Sequence, residues 1–440
     1  MKNSGVEWIG EIPEDWEVKK FKYFFDIYGG TGFKEEYQGQ EEGDFPFCKA
    51  SDINGLEKNL ITAKNYVNQE LVNKESYIVI PKNSILVSKI GEALKKNHRK
   101  VNLVNCIVDN NCEGFVLNTK NDINYLYYVL KCIDMSWFDN GGTIPSVNNF
   151  KLKNFFLPNC LYEHQQRIAS YLDKKCRKIE ETIQNQQQVI EKLKAYKQSL
   201  ITEVVTGKIK IQNGKVCGKY ESYKDSKLKW LGDFKIPEVW NTIQVKSFVS
   251  IPVVDGPHES PELFDNGIPY ISATAIENSK IDFSLKRGFI SEKYCDECDK
   301  RYKPMRDDIL MIKLGATTGQ VAIIDTDERF NIWVPLAAIR CNKTIALPKF
   351  VFYSFQSDYC LKQMEMSWTF GTQQTLGVSS IERLKIFLPN VETQKIIVDS
   401  LDKKCTAIDT AIEQKQNLIE KLTEYKKSLI YECVTGKKAI

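Results

Sequence analysis

Lys95, Lys96, Asn97, His98, Arg99 and Lys100 place four permanent cations and two further hydrogen-bonding side chains in six consecutive positions. Lysine and arginine neutralise phosphates, and arginine and asparagine also pair with guanine and adenine edges. A second polar constellation lies downstream. Lys313 and Gly315 lead into Thr317, Thr318 and Gln320, and Gly371 leads into Thr372, Gln373, Gln374 and Thr375. Glutamine amides pair bidentately with adenine. Gly141, Gly142, Thr143, Ile144, Pro145 and Ser146 form a loop of matching composition in the first half of the chain. The chemistry these residues suit is recognition of double-stranded DNA through phosphates and base edges. A solvated turn is the competing reading of each loop.

Patterns that would carry catalysis are missing beside them. The nearest approach to a phosphate loop, Gly214-Lys215-Val216-Cys217-Gly218-Lys219-Tyr220, has the wrong spacing and ends in tyrosine. No Asn/Asp-Pro-Pro-aromatic segment encodes an adenine methyltransferase site. Asp15 with Glu17, Val18 and Lys19 has the residue types of a nuclease pair, but the aspartate is too close in sequence. Cys295 and Cys298 stand as one CxxC without a second pair, where zinc needs four ligands, so free thiols are expected. His98, His164 and His258 lie far apart in sequence and suggest no catalytic set. No metal site is expected.

The elements that position these loops announce themselves by repetition. Residues 172–208 and 401–437 align without a gap at an offset of 229, with 22 of 37 positions identical. Leu157-Pro158-Asn159 and Leu388-Pro389-Asn390 precede the two copies, followed by Glu163 and Gln165 in one and Glu392 and Gln394 in the other. Trp8-Ile9-Gly10-Glu11 is echoed by Trp230-Leu231-Gly232-Asp233. Each leads into Ile-Pro-Glu and a tryptophan, Trp16 or Trp240. Between these echoes, residues 17–156 and 241–387 share little identity.

Each repeated segment carries a heptad stripe without internal Gly or Pro. Leu172, Ile179, Ile183, Ile190, Leu193 and Leu200 form the seam of the first, and Leu401, Ile408, Ile412, Ile419, Leu422 and Leu429 that of the second. Gln186 and Lys415 interrupt the seam and would fix its register. Thr206-Gly207-Lys208 and Thr435-Gly436-Lys437 are helix stops. A narrow apolar seam needs a partner, and the other copy supplies one. Roughly 30 residues at ~1.5 Å rise make a spacer of about 45 Å. If the helices run antiparallel, Lys437 should meet the opening motif at Trp8, as Lys208 leads to Trp230.

The expected fold is α+β: two mixed α/β recognition domains separated by two long antiparallel coiled-coil helices, with a pseudo-twofold internal repeat. The segments read as recognition domain (1–157), spacer helix (158–208), basic linker (209–229), second recognition domain (230–387) and distal spacer helix (388–440). Strands are expected at 84–90, 309–314, 321–324 and 332–340, and helices at 123–133 and 348–364. The stretch 207–229 carries seven lysines against Glu221 and Asp225 and reads as a solvated connector or a phosphate contact.

Composition limits the remaining classes. The net charge is only +4, from 61 basic and 57 acidic residues, so an anionic partner must be met by local clusters. No apolar run approaches the roughly 20 residues of a membrane span, and the acid-bearing N-terminus does not suit a signal peptide. A cytoplasmic protein with reduced thiols is the expectation.

The two opening motifs, the Leu-Pro-Asn segments and the paired helices ending in Thr-Gly-Lys resemble the specificity subunit of type I restriction–modification systems over essentially the whole chain. Asp255-Gly256-Pro257-His258, Gly267-Ile268-Pro269-Tyr270 and Asp308-Ile309-Leu310-Met311 are similar to the family's pattern, as more faintly are Phe45-Pro46-Phe47 and Ile85-Leu86-Val87. His164 before the first helix and Thr393 before the second depart from the usual Glu-Gln-Gln order. The resemblance implies a non-catalytic DNA-specificity subunit whose two α/β domains are target recognition domains, each reading half of a bipartite, asymmetric target. It implies that the helices set the spacer and dock two modification subunits, and that restriction (motor–nuclease) subunits join them. S-adenosylmethionine, ATP and Mg²⁺ would then sit on those partners, with no cofactor on this chain. A structural coiled-coil scaffold and a stand-alone DNA-binding protein are the alternatives. The unlike variable regions argue against the scaffold.

Overall fold

A computed structural model describes residues 1–55, 57–212, 214–370 and 373–440. The chain forms two compact units that do not follow linear segments: residues 1–186 with 417–440, and residues 187–416. Two 44-residue helices, Tyr162–Val205 and Val391–Val434, each contribute to both.

In the first unit a five-stranded sheet runs in the order Phe25–Gly29, Cys112–Leu117, Ile85–Ser88, Arg99–Asn102, Asn59–Leu60. A smaller sheet orders Ile107–Val108, Phe45–Cys48 and Tyr66–Val67. The strand Glu17–Lys20 pairs antiparallel with Phe156–Asn159, closing the variable region at its base. The helix Ile123–Lys131 buries six consecutive residues from Tyr125 to Leu130, which join Leu172, Cys176 and Ile179 of the first long helix in one core. Leu429, Ile430, Cys433 and Val434 of the second long helix complete it.

The second unit repeats this plan with different residues. Its four-stranded sheet has the order Val254–Asp255, Leu336–Ile339, Ile309–Ile312, Val321–Ile323, and its three-stranded sheet pairs Gly288–Ile290, Ile268–Ile271 and Asn331–Ile332. Asn241–Gln244 pairs with Lys385–Leu388 as the base. The helix Pro348–Gln356 takes the place of Ile123–Lys131. Sheet order is kept although the side chains are not, because strand pairing depends on the apolar inward faces and the backbone ladder, which tolerate substitution.

The long helices pair within each unit with opposite chain directions. In the first unit Glu180 is bonded to Lys426, and Arg167 to the carbonyl of Ile440. In the second, Lys197 meets Asp409 at 2.7 Å, and Leu200 and Ile201 share a core with Leu401 and Cys405. The partners Glu180/Asp409 and Lys197/Lys426 are related by the 229-residue offset. The seam residues Leu172, Ile179, Ile190, Leu200, Leu401, Ile408 and Leu429 are buried; Ile183, Leu193, Ile412, Ile419 and Leu422 are half-buried, as are Gln186 and Lys415.

Other contacts recur in both units, with their long-helix residues related by the same offset. Gln165 accepts from the Asp122 amide at 2.8 Å and donates to the Cys160 carbonyl at 2.9 Å. Gln394 accepts from the Leu347 amide at 2.7 Å and donates to the Pro389 carbonyl at 2.8 Å. The repeated glutamine therefore ties each long helix to the start of the helix above it, and the neighbouring His164 and Thr393 leave that tie intact. Tyr128 and Tyr353 donate to Asp173 and Asp402, both at 2.7 Å. Lys437 Nζ donates to the Ile9 carbonyl at 2.7 Å, placing the end of the second helix on the opening motif within the first unit.

Three expectations need correction. The helix expected over 348–364 is two, Pro348–Gln356 and Asp358–Glu365, broken at Ser357, whose extended backbone (φ −70°, ψ 150°) ends one helix and starts the next. The strand expected over 332–340 splits into Asn331–Ile332 and Leu336–Ile339, which belong to different sheets. Residues 209–229 are not a bare connector. Ile211 and Leu228 enter the second unit's core, and Tyr223–Asp225 pairs with Lys235–Pro237. Apolar residues this sparse show no periodicity in sequence yet still anchor a segment.

Candidate nucleic-acid interface

In each unit a sheet strand ends in Lys-x-Gly, and the following turn is fastened to a loop from much later in the chain. In the second unit Ile309–Ile312 runs into Lys313, Leu314 and Gly315. Leu314 bridges to Thr375, the Gly315 amide donates to the Gln374 carbonyl at 3.0 Å, and Thr318 Oγ1 donates to the Gly315 carbonyl at 2.7 Å. Among the expected contacts this leaves Thr317, Gln320 and Gln373 exposed and Gln374 half-buried, while Thr318 is turned inward to hold the turn. Thr372 lies outside the described residues.

The first unit does the same with Ile85–Ser88, Lys89, Ile90 and Gly91. Ile90 bridges to Ser146, and the Gly91 amide donates to the Pro145 carbonyl at 2.8 Å. Thr143 is exposed in that loop, beside the exposed Ile144. The resemblance in composition between the Gly141–Ser146 loop and residues 373–375 therefore corresponds to the same position in the two folds.

An ion pair with a buried carboxylate stands beneath each turn. Lys313 Nζ lies 2.8 Å from Asp255 Oδ2, and Arg301 and His258 also reach that carboxylate, His258 at 3.2 Å. Burial alone would raise the Asp255 carboxyl, but the Lys313 hydrogen bond and charge, helped by Arg301, outweigh it and hold the group below its ordinary range. Lys313 is therefore a support for the turn, with its ammonium already engaged, rather than a free phosphate contact. Lys89 does the corresponding work, 3.4 Å from the buried Glu113, which also accepts from Asn149 at 2.8 Å. Lys89 was not singled out by composition. The signal was the Lys-x-Gly spacing common to Lys89–Gly91 and Lys313–Gly315.

The basic run 95–100 divides sharply. Lys95 and Lys96 are exposed, and Lys95 pairs with Glu92 at 2.6 Å. Asn97 donates to the Ile133 carbonyl and accepts from the Met135 amide, so it serves the turn, and His98 is half-buried. Arg99 and Lys100 are strand residues, 1% and 8% exposed, with Arg99 Nη2 donating to the Ile133 carbonyl at 3.0 Å. A strand inside a sheet cannot offer these cations to a duplex, and the reading of 95–100 as one exposed loop is corrected accordingly.

The arrangement offers hydrogen bonding and charge at two tips of unlike chemistry: lysines with threonine and isoleucine in one unit, threonine and glutamine in the other. Among the described residues no group of three or more His, Cys, Asp or Glu side chains is placed to hold a metal, and no helix is long and apolar enough to cross a membrane. Cys295 and Cys298 are buried on the helix Glu292–Arg301.

A fold built twice, with a shared scaffold and unlike loop tips, is that of a sequence-reading subunit. The chain belongs to the family described as the type I restriction modification DNA specificity domain, whose sequence model matches residues 13–192 and again 237–422. It is thus a type I restriction–modification specificity subunit carrying that domain twice. The type I restriction enzyme MjaVIII specificity subunit of Methanocaldococcus jannaschii is 24% identical over 442 residues, spanning 97% of this chain and 93% of the relative. The EcoBI specificity subunit of Escherichia coli is 22% identical over 296 residues, 67% of this chain and 60% of that one. A solved chain described under complex assembly and conformational transition of the type I R-M system shares the fold, with a TM-score of 0.67 at 14% identity over 97% of this chain and 100% of that one.

Proposed function

We propose that each unit reads one half of a bipartite, asymmetric double-stranded DNA target, using the turn after its Lys-x-Gly strand end together with the loop fastened to it. The observation that carries this is the repetition of one scaffold under two chemically different tips: a symmetric target would need no such difference. In the second unit Thr317, Gln320, Gln373 and Gln374 read base edges; in the first, Lys95 and Lys96 contact phosphates and Thr143 approaches the groove. The long helices set the unspecified spacer between the half-sites.

The same helices dock two modification subunits, to which restriction subunits are added. Val189 and Tyr196 on the first helix and their repeat equivalents Leu418 and Tyr425 on the second are all exposed, between 37% and 57%. Matching apolar pairs on two equivalent helices suit two copies of one partner. The chain itself is non-catalytic and works in the cytoplasm, with S-adenosylmethionine, ATP and Mg²⁺ handled by its partners.

The test is a pair of variants in the assembled methyltransferase complex. Gln320→Ala and Gln373→Ala relax one base position each, only in the half-site read by the second unit, at about 1–3 kcal/mol per lost bidentate contact. Lys95→Ala and Lys96→Ala weaken binding to all sequences alike and each reduce the salt dependence by about one ion. Methylated motifs unchanged in both halves for the glutamine variants would contradict the assignment.

A further inference from the structure

The first unit contains a cleft of about 560 Å³ between the helix Ile123–Lys131, the turn at 96–98, and the paired long helices. Two of its three acids are closely engaged, and the third, Glu57, is exposed. Asp173 takes Lys58 at 2.5 Å and the Tyr128 hydroxyl at 2.7 Å, Glu180 is bonded to Lys426, and Glu57 faces Lys100 at 3.8 Å. Lys96, Lys131 and Arg177 also line the cleft, and among the described residues none of them has a carboxylate partner. Behind Lys131 lies Arg99, fully buried, with Nε and Nη1 lacking any hydrogen-bond partner. Burial, reinforced by Arg99 and Lys426, pushes the Lys131 ammonium down to about 8. A buried cation without a counter-charge is costly, and such clusters gather where a ligand supplies the missing charge.

The internal repeat provides a control within the chain. Arg99 faces Val87 across its strand pair, and the corresponding partner of Met311 in the second unit is Val321. The shared tyrosine–aspartate bond aligns Tyr128 with Tyr353, so Lys131 corresponds to Gln356. The helix-to-helix ion pair is kept in both units, while the buried Arg99 and the half-buried Lys131 occur in only one. Their retention is therefore not demanded by the scaffold.

We infer that this cleft is a binding site for a small phosphate-type oxyanion, either free phosphate or the terminal phosphates of a nucleotide. Lys131 supplies the direct contact, Lys96 and Arg177 flank it, and Arg99 adds charge from behind. The half-buried position of Lys131 within the cleft favours a small ligand over a duplex backbone, and Lys96 borders both this cleft and the phosphate contact proposed above.

Calorimetric titration of the full chain with inorganic phosphate, and separately with magnesium-free ATP, tests it. One saturable site per chain is expected. Saturation by phosphate identifies the free anion, and saturation by ATP alone identifies a nucleotide. Lys131→Gln, which installs the residue the second unit carries and so should fold, is expected to weaken binding about tenfold or more, the scale of one charged hydrogen bond. Lys349→Gln in the second unit should leave it unchanged. Absence of a saturable site with both ligands, or equal affinity in Lys131→Gln, would overturn the inference.

Discussion

Gly207→Ala is expected to destabilise the second unit by about 2–5 kcal/mol, and Gly436→Ala the first unit by a similar amount. Both glycines end a long helix in the left-handed region, φ +72° and +73°. A β-carbon at Gly207 would lie 2.4 Å from Cγ and Cδ of Pro237, and one at Gly436 would lie 2.4 Å from Cδ of Pro13. Left-handed strain costs about 1–2 kcal/mol and overpacking against a fixed ring about 1–3 kcal/mol more. The same β-carbons would lie 3.6 Å from Trp240 Cε2 and 3.4 Å from Trp16 Cε2, and the Pro237 and Pro13 carbonyls are tied to the Trp240 and Trp16 amides at 2.9 and 3.1 Å. Gly5→Ala separates the two causes: its φ is +71° but nothing lies within 4 Å, so only the conformational part should appear. Urea unfolding of the three variants gives the comparison. Equal losses at all three positions would show that the proline contact contributes nothing.

Arg340→Met is expected to cost about 3–5 kcal/mol in the second unit. Asp308 is 2% exposed and accepts from Arg340 Nε at 2.8 Å and Nη2 at 2.7 Å, from the Tyr302 hydroxyl at 2.7 Å and from the Met305 amide at 3.0 Å. Removing the guanidinium leaves a buried carboxylate with two neutral donors. Breaking one side of such a pair costs more than removing both, since the residual charge is then uncompensated. Asp308→Asn in the Arg340→Met background should therefore recover part of the loss. Chemical denaturation of the two singles and the double closes the cycle, and strictly additive losses would mean that the two side chains do not act as a pair.

The long helices were legible because a heptad repeat and a 22-of-37 identity survive any uncertainty about tertiary structure. The meeting of Lys437 with the opening motif was legible for a related reason: antiparallel copies with the same neighbours must close in the same way. The loop pairing was half visible, in the glycine-led composition of 141–146 and 371–375, whereas the lysine supports needed the strand ends to be aligned. What composition concealed was burial. Arg99-Lys100-Val101-Asn102 is polar enough to read as a loop, yet it forms a strand because Ile85–Ser88 and Asn59–Leu60 bracket it in the sheet. That bracketing comes from residues about 15 and 40 positions away, which no local pattern reports. The two compact units likewise cut across the linear segments, because each long helix contributes one half to each core.

The most direct test of the central claim is the methylome of a methyl-free host expressing this chain with its cognate modification subunit. Two unlike recognition units should yield one split motif, with two different specified halves separated by a fixed number of unspecified bases. Exchanging the second variable region, residues 241–387, for that of another specificity subunit should then rewrite one half and leave the other and the spacer intact. A continuous motif, a palindromic one, or a change in both halves after the exchange would contradict the account.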